Sequence, residues 1–416
     1  MTNQLIKTFV VLLAISISSI SCDKTIPEKS SEDRNLVLTA VEQQKAGNDN
    51  QFAFQLFKAA TTDLQTGQNA LLSPLSIGMA LSMTNNGAAG ETRAAIEKTL
   101  KLDGFDTKAI NVYYRKLMTD LPALDPKTTL NIANSIWYRQ GFEVLPAFLD
   151  INRKFYQAEV AGLDFADPGA PNVINDWVSD ETHEKIPKII DNISGDIVMY
   201  LINAVYFKGE WEQRFDQSAT RKGTFFGEND SPLETDFMHA THTFNVASTE
   251  DVEAIELPYG NKKYSMVVLK PRGATSPAQL AEKLTNTDTW QTITGALQLR
   301  KTDLHLPKFK FSYENKLNDE LTAMGMGIAF SNLADFSGIN GQGGLAISEV
   351  KHKSFIEVNE EGTEAAAATS VGGVTSSPQI HTLRIDRPFL FVIREMNTGL
   401  ILFIGQVNDP SAAQSE

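Results

Sequence analysis

The chain has 416 residues, enough for one large folded unit or two modest domains, and its 42% hydrophobic content supports a sizeable core. A formal net charge of -14 argues against a nucleic-acid partner, because phosphate binding needs basic surface and is driven largely by counterion release. The single cysteine, Cys22, leaves no partner for an internal disulfide, so the folded part must hold by packing alone.

In chain order, Lys7 precedes a mostly apolar run over residues 9–15 that passes into serines and ends at Cys22. This reads as an export signal over 1–21, too short to span a bilayer as a permanent helix. Ser19-Ile20-Ser21-Cys22 resembles a bacterial lipoprotein cleavage box, with serine where the usual leucine stands three residues before the cysteine. Cys22 is therefore the expected lipidation site. The chain is expected to be an exported bacterial membrane lipoprotein, periplasmic or cell-surface facing, with plain secretion as the alternative. Residues 22–48 are polar and charged and read as a flexible tether, 49–410 as the folded domain, and 411–416 as a disordered tail.

Asn50 is a candidate cap for a first helix carrying Phe52, Leu56 and Ala59 on one face, and 74–83 and 91–100 read as further helices. Residues 264–269, 389–393 and 400–404 are short β-rich apolar runs suited to buried strands. Helices dominate the first part and strands the later part without strict alternation, which predicts an α+β domain.

One segment breaks the pattern. Residues 360–378 are small or polar and contain no large apolar anchor, and long loops inside a compact domain are usually functional. If this segment became a strand, Thr363, Ala365, Ala367, Thr369, Val371 and Gly373 would share one face. All are small and uncharged, so that face can be buried. Glu364, Ala366, Ala368, Ser370 and Gly372 would point the other way, toward water. Such a segment can slide between two existing strands, although four consecutive alanines also favour helix.

The run Glu360-Glu361-Gly362-Thr363-Glu364-Ala365-Ala366-Ala367-Ala368 resembles the proximal hinge of an inhibitory serpin. Other serpin-like motifs occur in family order along the chain: Asn69 to Leu81 with Gly87 to Thr92, Leu201 to Trp211, Ala254 to Tyr259, Leu306-Pro307-Lys308-Phe309, Ala334 to Gly338, Asp386 to Phe391, and Leu402 to Val407. The resemblance spans roughly residues 49–410. Glu184 departs from it, standing where the family usually has glycine at a helix terminus.

The resemblance implies a serpin fold of three β-sheets with about eight or nine helices and an exposed reactive-centre loop. It also implies inhibition by entrapment of serine endopeptidases, with cysteine endopeptidases as a further target class: the protease attacks the loop, forms a covalent acyl complex, and is carried away as the freed hinge becomes a new strand. Family spacing places the attacked bond between Ser376 and Ser377, with Thr375 or Ser377 as the alternative residue before it. Small residues there suit elastase- or subtilisin-like enzymes or tolerant papain-like ones, and the absence of Arg and Lys from 363–379 argues against a trypsin-like target. Ser73, Ser76, Asn203 and His352 match a polar cluster beneath the sheet (the shutter). Trp211 and Lys308 match the place where insertion begins (the breach), with Lys308 a partner for Glu360. A monomer is expected, without cofactor or metal, touching the membrane only through its lipid.

Two competing readings follow. A non-inhibitory serpin-fold protein, such as a chaperone, carrier or protease substrate, would tend to carry bulky, charged or proline residues in the hinge, where this chain has Thr363 and alanines. A hydrolase would need a nucleophile elbow or a metal helix, and neither Gly-x-Ser-x-Gly nor His-Glu-x-x-His is present. The six histidines are scattered, and the pair His239 and His242 alone does not make a metal site.

Overall fold

The computed structural model describes residues 34–363 and 380–412. The first helix, α1 (Ala40–Thr61), begins nine residues before the folded part expected from the sequence. Thr39, rather than Asn50, is its cap: Thr39 Oγ1 accepts from the Glu42 amide at 3.3 Å while Glu42 Oε2 accepts from the Thr39 amide at 2.8 Å. The tether expected to reach residue 48 therefore ends earlier. The polar composition of 40–48 concealed this, because Lys45 is buried there, paired with Asp49 and lying 5.1 Å from the Tyr114 ring centre. Asn50 ties α1 to the far end of the chain, donating to Gly399 O at 2.8 Å and accepting from the Ile401 amide at 2.9 Å.

A short strand β1 (Ala70–Leu72) leads into α2 (Pro74–Asn85), capped by Ser73 with proline in the first turn. Next come α3 (Gly90–Thr99), α4 (Thr107–Asp120), β2 (Thr128–Arg139), α5 (Pro146–Tyr156), β3 (Glu159–Leu163), α6 (Ala170–Glu181) and β4 (Met199–Glu210). The strand-rich part contains β5 (Arg221–Phe226), β6 (Pro232–Ser248), β7 (Val252–Pro258), β8 (Tyr264–Pro271), α7 (Pro277–Leu284), α8 (Thr287–Gly295), β9 (Gln298–Pro307) and β10 (Phe309–Lys316). The short helices α9 (Asn318–Leu321) and α10 (Ser337–Asn340) precede β11 (Lys351–Asn359), β12 (Gly362–Thr363), β13 (His381–Arg384), β14 (Phe389–Glu395) and β15 (Ile401–Val407).

The strands form two hydrogen-bonded networks. The central sheet has the order β10-β11-β12-β4-β2-β3; the other runs β1-β15-β14-β8-β7-β6-β9-β13, with β5 on β6. The three-sheet expectation takes this form because the 17-residue β6 pairs with β5 and β9 along one part and with β7 along another, joining two sheet regions into one network. Every residue of β15 is buried, as its unbroken apolar run predicts.

Aromatic rings join the layers: Phe207 of β4 lies 6.2 Å from Phe403 of β15, and Phe309 of β10 lies 5.8 Å from Phe389 and 5.5 Å from Phe391 of β14. Each such buried side chain contributes roughly 1.5–3 kcal/mol. Together they hold the central sheet at a fixed height above the core. Among the described residues no helix is long and apolar enough to cross a membrane.

Candidate functional site

Among the described residues the central sheet is incomplete. On its outer sides β10 pairs along β11 from Phe309↔Val358 to Lys316↔Lys351, and β2 pairs along β4 from Thr128↔Gly209 to Tyr138↔Met199. Between β11 and β4 only the two residues of β12 are paired, through Val358↔Thr363 and Asn359↔Gly362 on one side and Gly362↔Glu210 and Thr363↔Gly209 on the other. Below that point β11 and β4 share no ladder among the described residues. Two parallel strands thus face each other with backbone donors and acceptors that a strand antiparallel to both can satisfy.

The upper end is built around Thr363. Its Oγ1 lies 2.7 Å from Tyr259 Oη, and Tyr259 stacks on Trp211 with ring centres 4.5 Å apart. Burial pushes the Tyr259 phenol well up, so it remains protonated and able to donate. Trp211 Nε1 donates to Asn359 O at 2.9 Å and its amide to Glu361 O at 2.8 Å, fastening the turn between β11 and β12. Gly362 is required there, since a Cβ would lie 2.0 Å from Gly209 O. Lys308 Nζ sits 3.0 Å from Glu360 Oε2, and Thr220 Oγ1 donates to Glu360 Oε1 at 2.7 Å. Burial raises the Glu360 carboxyl, but the bonds from Thr220 and Lys308 outweigh it and hold it below the usual range.

Beneath the sheet, Ser73, Ser76, Asn203 and His352 come together. The Ser73 amide donates to His352 Nε2 at 3.3 Å, Ser73 Oγ donates to Leu402 O at 3.0 Å and accepts from the Ser76 amide at 3.4 Å, and Ser76 Oγ bonds to Asn203 Oδ1. Burial pushes the His352 imidazole down to about 4, against the upward pull of its bond to Leu71. The imidazole is therefore neutral and available to accept. The network continues to residues the motif reading did not single out: Asn203 Nδ2 donates to Asn134 Oδ1 at 2.7 Å and Asn134 Nδ2 to Tyr156 O at 2.7 Å. Asn134 occurs in an ordinary strand pattern, and only its register opposite Asn203 reveals it. Tyr259 was missed likewise, since its motif reads first as core.

A strap crosses the outer face of the gap. His183 stacks on Tyr206 of β4 at 4.4 Å, while Lys185 Nζ lies 5.2 Å over Phe355 of β11. Glu184 between them has φ 63°, a left-handed conformation that suits glycine and is strained for glutamate.

The remaining candidates, namely Cys22, the hinge residues Glu364, Ala365, Ala366, Ala367 and Ala368, and the scissile candidates Thr375, Ser376 and Ser377, lie outside the described residues. The histidines did not fall as their spacing suggests. On β6, His242 pairs with Thr302, whereas His239 pairs directly with His305 and meets Asp303.

A sheet held open above a neutral polar cluster, with the start of a small-residue segment clasped at one end, defines the class of protein whose central sheet receives its own loop. The chain belongs to the serpin family: residues 47–410 match the family described as Serpin (serine protease inhibitor). It is 37% identical over 385 residues to human serpin B3, covering 86% of this chain and 97% of that one. Among solved structures, native tengpin, a thermophilic serpin, matches with a TM-score of 0.81 at 33% identity, covering 90% of this chain and 96% of tengpin. Human thyroxine-binding globulin, solved with thyroxine, matches at 0.80 with 28% identity, covering 90% and 100%. Family and fold together support a function of the protease-inhibitor type.

Proposed function

We propose that this serpin traps endopeptidases by inserting its cleaved loop between β11 and β4. The observation that carries the reading is the register of β12. Continuing Thr363↔Val358 and Thr363↔Gly209 down the gap would bring Ala365 opposite Ile356 and Phe207, Ala367 opposite Ser354 and Val205, and Thr369 opposite His352 and Asn203. On β11 the residues of that face, Val358, Ile356, Ser354 and His352, are all buried. The set facing the core would then be the small, uncharged one of Thr363, Ala365, Ala367 and Thr369. A one-residue slip would put Glu364 inward instead.

In the reaction, the protease's nucleophile bonds to the carbonyl carbon of Ser376, the bond to the nitrogen of Ser377 breaks, and that nitrogen takes the proton released by the nucleophile. The acyl bond tethers protease to loop while the hinge zips downward. Gly362 and Ser376 are 14 residue steps apart, roughly 46 Å of strand at about 3.3 Å per step. Insertion is driven by the two ladders it completes at once, and trapping requires that it finish before deacylation. The small residues around Ser376 favour elastase-, subtilisin- or papain-like targets. Incubation with elastase should yield a complex that survives SDS; clean loop cleavage without complex would favour a carrier or protease-substrate role instead.

We also propose export with lipidation at Cys22, supported by the signal-like residues preceding it. Labelled palmitate should enter the wild-type chain and not Cys22→Ala; equal labelling of both would reject the assignment.

A further inference from the structure

The antiparallel pair β6–β9 sets His239 directly across from His305 and Thr241 directly across from Asp303. Residues two apart on a strand share a face, so all four project from the same side of the sheet. The imidazoles lie nearly parallel, with ring centres 4.6 Å apart and planes 22° apart. Both turn Nε2 toward one carboxylate, His239 at 2.5 Å from Asp303 Oδ1 and His305 at 3.3 Å from Oδ2. Thr241 Oγ1 donates to Asp303 Oδ1 at 3.0 Å and helps fix the carboxylate's orientation. The three side chains keep 38%, 26% and 25% of their surface exposed in the order His239, Asp303, His305, which leaves an approach from solvent.

We propose that His239, Asp303 and His305 form a site for a divalent transition metal of zinc type. Two imidazole nitrogens and one carboxylate oxygen are the donor set such ions prefer, with the fourth position left to water. One donor atom from each residue lies within 4.8 Å of the others. Tetrahedral zinc, with bonds of about 2.0–2.2 Å, needs donors about 3.4 Å apart, a difference that side-chain rotation covers. Arg384, across from His305 on β13, has its guanidinium over the Phe237 ring at 4.5 Å and 3.7 Å from Asp386, which partly offsets its charge. Bound metal would clamp β6 to β9, the strand on which β13 rests through Thr382↔Asp303 and Arg384↔His305. Since β13 begins at His381, directly after residues 364–380, the clamp would brace the strand that follows that segment. The pair that sequence spacing offers, His239 with His242, is not the pair the sheet assembles.

The test is calorimetric titration of the full-length protein, stripped with chelator, with zinc chloride, alongside metal content after dialysis. One zinc per chain is expected in the wild type and in His242→Ala, with at least tenfold weaker binding in His239→Ala and in His305→Ala, and no heat with magnesium chloride. Melting curves of the apo variants establish that each is folded, and Asp303→Asn provides an independent third measurement. Zinc binding that is absent from the wild type, or unchanged in all three site variants, overturns the proposal.

Discussion

The hydroxyl of Tyr259 lies 2.7 Å from that of Thr363, so the first inserted residue of the hinge is already held from below. Trp211, stacked on Tyr259, completes a platform on which β12 rests. On the proposed mechanism, the two paired residues of β12 are the start of insertion, already formed in the uncleaved protein. Removing the Tyr259 hydroxyl in Tyr259→Phe leaves Thr363 without this partner and is expected to cost about 1 kcal/mol. Urea unfolding of the uncleaved protein measures it, and an unchanged midpoint would show that the bond holds nothing.

Thr363→Arg should turn inhibitor into substrate while the rest of the chain still folds, because a long cation would have to be buried during insertion. Thr363 is already buried in the uncleaved protein, so arginine must also expel β12 from its place. A folded chain that gives mainly cleaved product with elastase is the expected result. An undiminished yield of SDS-stable complex would contradict it.

Cleavage itself is the most direct assay of the open gap. If ten or so inserted residues each gain roughly 1 kcal/mol, the melting temperature of the loop-cleaved protein should rise on the order of 20 °C. Differential scanning calorimetry before and after limited elastase treatment reads this, and coincident melts would mean that the severed arm stays outside.

His352 makes stability depend on acid. Its folded value of about 4 lies below the ordinary 6.5, so between these pH values the unfolded chain binds a proton that the folded chain refuses. Stability from this source is present above pH 6.5 and is lost as the pH falls toward 4, by up to about 3 kcal/mol. Denaturation of wild type and His352→Gln at pH 7.0 and 4.5 should show the larger loss in the wild type; equal losses would remove His352 from the account.

Glu184→Gly should stabilise the protein. The left-handed backbone at residue 184 costs a β-carbon-bearing residue roughly 1–2 kcal/mol, and glycine returns part of that in its greater unfolded freedom, leaving a net gain of about 0.5–1 kcal/mol. Equilibrium unfolding measures the difference, and a destabilised variant would show that the Glu184 side chain does something the strap geometry does not reveal.

Part of the candidate site was legible in the residues themselves: Ser73, Ser76, Asn203 and His352, singled out by their motifs, meet beneath the sheet. The alternation of small, uncharged side chains from Thr363 onward is likewise a local pattern, but it falls mostly outside the described residues. Helix α2 likewise declares itself through Ser73 and Pro74, and β14 and β15 through their unbroken apolar runs. Helix α1 was misjudged at its start because its buried Lys45 looks like surface until Asp49, Tyr113 and Tyr114 are brought to it from other parts of the fold.

The linear order of residues determined which segment can be buried as a strand and which cannot, since that depends on the size and charge of its own side chains. The three-dimensional fold alone decided where such a strand has a place: the open edges of β4 and β11, the Tyr259 hydroxyl beneath Thr363, Asn134 behind Asn203, and His305 beside His239. Each of these joins positions tens to hundreds of residues apart through sheet register, and pairing across that distance leaves no mark in the local composition of either strand.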